Sequence, residues 1–274
     1  TPGIAHYVSP AFIIVASDPT DFFVMQKYFI EVAYKGADYA GFQIQENAVT
    51  VQSEVEHALA VLFKQKISLT GSSRTDAEVN ALQNFFHFDF DQPIPERYIY
   101  NLNAILPSAI VIKRIIAVQA NAHCRFDAVS REYSYHVYKN KNPFLYHQAY
   151  YFPYTIDFDL LQQAATAIMQ YTDFTSFSKR NTQVKNFMCR IIESRWSRKE
   201  DYMVYHVKAN RFLRGMVRGL VGTMLQVGRG KMSIENFHTI IVNRDCTKAN
   251  FAVPGYGLFL VQVNYPSGYF EQTT

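Results

Sequence analysis

Three cysteines in 274 residues, Cys124, Cys189 and Cys246, are odd in number and far apart, with no Cys-x-x-Cys pair. That spacing supports neither a disulfide framework nor a zinc knuckle, and it fits a reducing, cytosolic setting. Only 12 Gly and 10 Pro are present, which excludes collagen-like and low-complexity chains. No apolar run approaches the roughly 20 residues needed to span a bilayer, so no membrane partner is expected. The apolar stretch Ala11 to Ala16 has no basic residue before it, Lys27 being the first, and so lacks the leading charge of a signal peptide. Met25 is a natural start for a strand-first fold, which makes residues 1–24 an expected extension.

What is present is a globular composition, 49% hydrophobic and 18% charged, enough for one large domain or two small ones. The net charge of +4 is small, but it is unevenly placed. Residues 1–178 carry 12 Lys/Arg against 17 Asp/Glu, whereas residues 179–231 carry 13 against 3. Such a block, interleaved with aromatics, is an electrostatic footprint for a polyanion, and nucleic acid is the favoured partner.

Periodicity gives the order of elements. Tyr28 to Tyr34 alternates as a strand, and Thr50 caps a helix with Val51, Val55, Ala58, Leu59 and Leu62 on one face. Ile67 to Thr70 reads as a short strand and Asn84 to Phe90 as a strand with Phe86, Phe88 and Phe90 on one side. Pro95 starts a helix bearing Ile99, Leu102 and Leu106, and Ala109 to Val118 is a β-branched strand. The second half repeats the pattern: strand Arg131 to Tyr138, helix Phe158 to Met169, strands Phe187 to Arg198 and Tyr202 to Ala209, helix Leu213 to Val227, a helix capped by Ser233, and strand Gly257 to Tyr265. Two βαββαβ units predict an α+β fold of two ferredoxin-like halves, 25–122 and 123–274, joined near Asn121 to Ser130. Each half is expected to carry an antiparallel sheet with helices on one face, the open faces forming a central RNA-binding cleft.

The densest polar run is Ser72 to Asn80, between two strands. Taken alone, Arg74 and Asp76 form no more than a local ion pair that orders a loop. The run, however, resembles the catalytic loop of the TruA-like tRNA pseudouridine synthases, whose Gly-Arg-Thr-Asp-Ala-Gly-Val-His signature is matched by Arg74, Thr75, Asp76, Ala77 and Val79. Further matches follow in the family's order. They are Tyr34, Gly36, Tyr39, Gly41, Phe42, Gln43 and Gln45; Thr50-Val51-Gln52; and Ala122, His123, Arg125, Phe126, Ala128, Arg131, Tyr133 and Tyr135. Asp173 to Phe177, then Ala209 to Gly222 with Phe212, Met216, Arg218 and Leu220, and Gly257-Leu258-x-Leu260 complete the series.

The resemblance implies an isomerase that converts uridine to pseudouridine, most typically in the anticodon stem-loop of tRNA at positions 38–40, in a cytoplasmic homodimer. It needs neither metal nor cofactor, because a carboxylate suffices as nucleophile. Asp76 is the matched carboxylate, which in the family either attacks C1′ or assists loss of the base; Arg74 pairs with it and helps hold the flipped nucleotide, and Tyr133 stacks on the uracil and assists removal of the C5 proton. Arg218 and Leu220 line the cleft from the second half, with the arginine pairing with Asp76 or a phosphate. Arg211, Arg214 and Arg218 at spacings of three and four form one cationic helix stripe for phosphates, and Arg125 and His123 contact RNA.

Four positions depart from the family pattern: Ser73 and Glu78 stand for Gly, Asn80 for His and Phe42 for Trp. Glu78 is the most consequential, since a Gly there supplies positive φ or room, while a carboxylate beside a phosphate path costs about 1–4 kcal/mol. The alternatives are a non-catalytic or divergent RNA-binding paralogue acting on a different RNA site, and, third, an enzyme of small-molecule phosphates. The last lacks its Gly-rich loop here.

Overall fold

Thr50 ends an extended segment and starts the first helix. Its hydroxyl accepts the Ser53 N–H while Ser53 Oγ accepts the Thr50 N–H at 2.9 Å, a reciprocal cap. The computed structural model, which describes residues 13–16, 22–180, 184–200 and 202–271, places helix α1 at Val51–Phe63. Val51, Val55, Ala58 and Leu59 are buried there, as the 3.6-residue period requires. Most of the expected extension 1–24 lies outside the described residues; β1 (Ile13–Ala16) pairs antiparallel with the start of β2 (Phe22–Tyr34).

The remaining elements are β3 (Thr70–Gly71), β4 (Asn80–Phe90), α2 (Arg97–Ile105), β5 (Ile110–Val118), β6 (Ser130–Tyr138), β7 (Tyr150–Tyr151), α3 (Phe158–Ala167), β8 (Ile191–Arg198), β9 (Tyr202–Ala209), α4 (Met216–Gly228), α5 (Ile234–Asn243) and β10 (Leu258–Asn264). All ten strands belong to one sheet, so the two expected antiparallel sheets are replaced by a single mixed one. Its first array runs β5, β2, β4, β3 and its second β10, β6, β9, β8. They join where β10 pairs parallel to β4 through Phe259 opposite Asn80 and Leu260 opposite Ala81. Because β3 is only two residues long, it leaves that end of β4 unpaired, and β10 satisfies the exposed backbone groups.

Neither face of β4 is open. Phe86 stacks on Phe42 at 4.4 Å, and Phe90 meets Phe63 of α1 at 4.5 Å. On the opposite face Phe85 packs against Tyr265 at 5.3 Å and Phe270 at 5.8 Å. The chain after β10 therefore covers a surface that the sequence pattern assigns to a cleft, anchored by Tyr265 Oη donating to Cys124 O and Tyr269 Oη to Asp127. In the second half Ser176 Oγ donates to Ile240 O of α5, and the Trp196 N–H of β8 donates to Gln162 of α3.

Three boundaries shift for local reasons. Leu69 spends its backbone N–H on Glu56 and its carbonyl on Gln52, both side chains of α1, so the strand expected from Ile67 shrinks to Thr70–Gly71. Residues 186–190 bond to the 172–174 segment, with Phe174 N–H donating to Phe187 O and Cys189 N–H to Thr172 O, which delays β8 to Ile191. Gly215, at φ 72°, breaks the expected helix from Leu213, and α4 starts at Met216. Arg211 and Arg214 therefore lie in the preceding loop and not on a helical stripe with Arg218.

A buried histidine, His87, and a half-buried one, His136, make stability pH-dependent. Burial, with neighbouring His123 and Lys27, lowers the His87 pKa to about 4, and burial with His206 lowers that of His136 to about 4. Below the ordinary value of about 6.5 the unfolded chain takes up protons that the native chain refuses, so stability falls from pH 6.5 to about 4 and flattens below. Unfolding in urea at pH 4.5 is expected to report a loss on the order of 2 kcal/mol for each histidine, about 4–5 kcal/mol together, relative to pH 7. Replacing both residues by Gln should flatten that slope; an unchanged slope would place the acid sensitivity elsewhere.

Candidate active site

The loop 72–79 connects β3 to β4 at the joint between the two arrays. Its polar backbone is bound from behind. Thr75 Oγ1 shares a 2.8 Å hydrogen bond with the buried Tyr34 hydroxyl, and Asn84 Nδ2 donates to Ser73 O at 2.8 Å. Phe42 N–H donates to Thr75 O at 3.1 Å, and Glu78 N–H donates to Tyr39 O. Phe42 is thus a buried support whose ring stacks between Tyr34 and Phe86. Asn80 is also a clasp: Oδ1 accepts the Gly36 N–H at 3.0 Å, while Nδ2 donates to Tyr256 O at 2.8 Å across the joint.

These bonds leave the Asp76 side chain to point into a cationic surround. It is 24% exposed, with Arg214 Nε 3.7 Å from Oδ1, and Lys179 Nζ and an Arg218 guanidinium nitrogen each 4.0 Å from Oδ2. Arg218, in the first turn of α4, is fixed by its Nε donating to Val253 O at 2.8 Å. All three cations stand beyond ordinary hydrogen-bond distance, so the carboxylate is held in positive potential without being consumed by a tight bond.

Tyr133, on β6, is buried and packs edge-on against Phe212 at 4.9 Å. Burial, opposed by Arg131 and reinforced by the Asp76 charge, pushes its hydroxyl up to about 12. At neutral pH it is a phenol, which supplies a ring face and a proton donor and not a phenolate base for C5.

Two expected positions fall differently. Arg74 is exposed and forms no ion pair with Asp76; the carboxylate's partners come from the second half instead. Leu220 is fully buried and packs the core one turn from the Arg218 end of α4, so it offers RNA no surface. Arg211 lies near the Cys189 thiol, and Arg125 is exposed beside the Phe126 ring at 5.7 Å. Lys179 is the residue that the motif reading passed over, although it stands two positions after the matched Asp173 to Phe177 segment.

Glu78 has φ 66°, the left-handed value that the glycine pattern suggests. Glu78→Gly is expected to stabilise the fold by about 0.5–1 kcal/mol, the relief of φ strain being partly offset by a freer unfolded chain. Thermal unfolding measures this, and a lowered midpoint would mean that the Glu78 side chain carries a compensating contact.

One group among the described residues has the composition of a metal site: ligand atoms of His87, His123 and Cys124 lie within 4.8 Å of one another. They are engaged by hydrogen bonds, His87 Nδ1 with Cys124 Sγ at 3.1 Å, Cys124 Sγ with Thr70 O, and His123 Nδ1 with the Arg125 N–H. Burial pushes the thiol up to about 12, which keeps it protonated. The His123 ring is thereby turned toward its own turn and toward Phe126.

Comparison with known proteins agrees with this geometry. Residues 170–266 match the family model described as tRNA pseudouridine synthase. A protein of Parabacteroides distasonis named tRNA pseudouridine synthase A is 43% identical over 248 residues, covering 90% of this chain and 98% of the relative. Proteins of the same name from Bacteroides fragilis and Bacillus subtilis are 40% and 38% identical, over 90% and 85% of this chain and 99% and 97% of theirs. Identity at that level, spread over nearly the whole length of each relative, means that this chain belongs to the tRNA pseudouridine synthase A family.

Proposed function

We propose that this chain is an isomerase that converts uridine to pseudouridine in the anticodon stem-loop of tRNA, with Asp76 as the nucleophile. The observation that carries the reading is the Asp76 carboxylate, surrounded by Lys179, Arg214 and Arg218 at 3.7–4.0 Å and committed to none of them. Binding alone requires no such group, since a carboxylate opposes a polyanion.

In the reaction, an Asp76 oxygen bonds to C1′ as the C1′–N1 bond breaks and its electron pair leaves on uracil. The base then turns, C5 bonds to C1′, and the aspartyl oxygen departs as carboxylate. The C5 proton passes to solvent and N1 takes one from solvent, so protons balance, no redox change occurs and neither metal nor cofactor is called for. The cations stand around the negative charge that Asp76 carries at the start and end of this cycle. Tyr133, protonated, stacks on the displaced uracil. Arg74 is exposed, forms no ion pair among the described residues and is free to hold the flipped nucleotide; Arg125, Arg211 and Arg214 reach phosphates.

We read residues 25–122 and 123–274 as two ferredoxin-like halves. The strand orders support this, since with the two-residue β7 left out, numbering strands within each half gives the sequence 4-1-3-2 in both arrays. Residues 1–24 are an extension. A homodimer in the cytoplasm fits a tRNA substrate, and exposed Phe144 and Tyr146 between β6 and β7 offer apolar surface for a second copy. No described helix is long and apolar enough to cross a membrane.

The test is tritium release from tRNA labelled at uridine C5, followed by mapping of the modified positions by primer extension. Release mapping to the anticodon stem-loop supports the whole reading. Release at another position keeps the chemistry and moves the substrate, and tight binding without release by folded protein favours the non-catalytic RNA binder.

A further inference from the structure

We infer that Lys179 is a positioning residue for Asp76 and that Gly215 is the seat that aims it. This rests on the reading of Asp76 as nucleophile. Lys179 follows the turn Thr175–Phe177, and that turn is fixed by Asp173, whose carboxylate accepts both the N–H and the hydroxyl of Thr175 and pairs with Arg244 at 2.9 Å. The Lys179 backbone N–H donates to Arg214 O at 3.0 Å, tying this turn to the loop before α4. Its side chain then runs across Gly215. A Cβ on that glycine would lie 2.9 Å from Lys179 Cγ and 3.2 Å from Cδ and Cε. The φ of 72° and the missing side chain thus serve one purpose, to end the loop while leaving a groove for a lysine stem.

At the end of that groove Nζ meets Oδ2 of Asp76 at 4.0 Å. The three cations are not equivalent. Arg218 has its Nε bound to Val253 O, and Arg214 is 59% exposed on the other carboxylate oxygen. Lys179, 33% exposed, is the flexible one, a compact charge with rotatable donors on a seated stem. Such a group can follow the carboxylate as an oxygen bonds to C1′ and leaves again, where a forked guanidinium already anchored at one nitrogen cannot. The seat directs Lys179 inward, to Asp76, and away from a role as one more surface phosphate contact.

The experiment compares wild type, Lys179→Met and Lys179→Arg with uridine-labelled tRNA, measuring kcat, KM and the salt dependence of binding. Methionine keeps an apolar stem on Gly215 and removes the charge, so a folding defect is not expected; thermal midpoints check this. The expected result is a kcat about 10–30-fold lower in Lys179→Met, KM within about twofold, an unchanged salt slope, and recovery of most of the loss in Lys179→Arg. Gly215→Ala should lower kcat in the Lys179 background and add little in the Lys179→Met background if both act through the same seat. Unchanged kcat in Lys179→Met overturns the inference, as does a shift confined to KM and the salt slope, which would make Lys179 a phosphate contact. A folded wild type without turnover removes the functional reading and this inference together, whereas an active wild type beside an equally active Lys179→Met removes the inference alone.

Discussion

Asp76→Asn is expected to bind tRNA as wild type does and to turn over none of it. The carboxamide has the same shape, and the loop that carries it is held by the Tyr34 to Thr75, Asn84 to Ser73 and Phe42 to Thr75 hydrogen bonds, none of which uses the Asp76 side chain. The fold therefore has no reason to change. What is lost is the anionic oxygen that bonds to C1′, and a neutral amide is a far weaker nucleophile, so the single-turnover rate should fall on the order of 10³-fold or more. Removing one negative charge from a surround of Lys179, Arg214 and Arg218 leaves that surface more cationic, so tRNA affinity holds or rises and its salt slope stays steep. Filter binding and tritium release on the same preparation separate the two effects. Turnover within tenfold of wild type would assign the chemistry to another residue, and lost binding with an intact fold would make Asp76 part of the docking surface.

Those features that depend on neighbours in the chain were legible in the sequence. The reciprocal cap at Thr50, the apolar face of α1 and the Ser233 cap of α5 each lie within four residues of their cause. The positive φ at Glu78 was legible through the motif, where glycine is the expected residue. Features that depend on distant partners were not. Nothing in the alternation of β4 announces that Tyr265 and Phe270, some 180 residues on, cover its second face, or that β10 pairs beside it in parallel. The apolar run from Phe212 suggests an earlier start for α4, whereas Gly215 takes a left-handed φ with the Lys179 stem packed against it, a contact from a distant segment. The site shows the same division. Asp76 and Arg218 came from local motifs, but which cations face the carboxylate depends on three segments meeting, and that meeting exchanged Arg74 for Lys179.

The same joint makes Gly255→Ala a severe substitution far from any reacting atom. Gly255 has no left-handed φ, so alanine suits its backbone and the effect is steric alone. The new methyl would stand 2.3 Å from Ala77 O and 3.0 Å from Glu78 Cβ, so the two loops must part by about 1 Å. Neither is free to move. The 72–79 loop is bound from behind, and the 253–257 segment is pinned by Arg218 to Val253 O, Tyr135 to Pro254 O and Asn80 to Tyr256 O. The displacement is therefore shared, and it lands on the separation between Asp76 and Arg218, which these two loops set. A shift of that size at a reacting group costs about 10²-fold in rate, and the strain should cost about 1–3 kcal/mol in stability. Glu78→Gly does not rescue it, because the closer contact is with a backbone oxygen. Turnover and thermal midpoint measured together decide the matter: both should fall, with tRNA affinity nearly unchanged. A wild-type midpoint with full turnover would mean that the joint yields freely and that the placement of Asp76 does not depend on close packing between the two arrays.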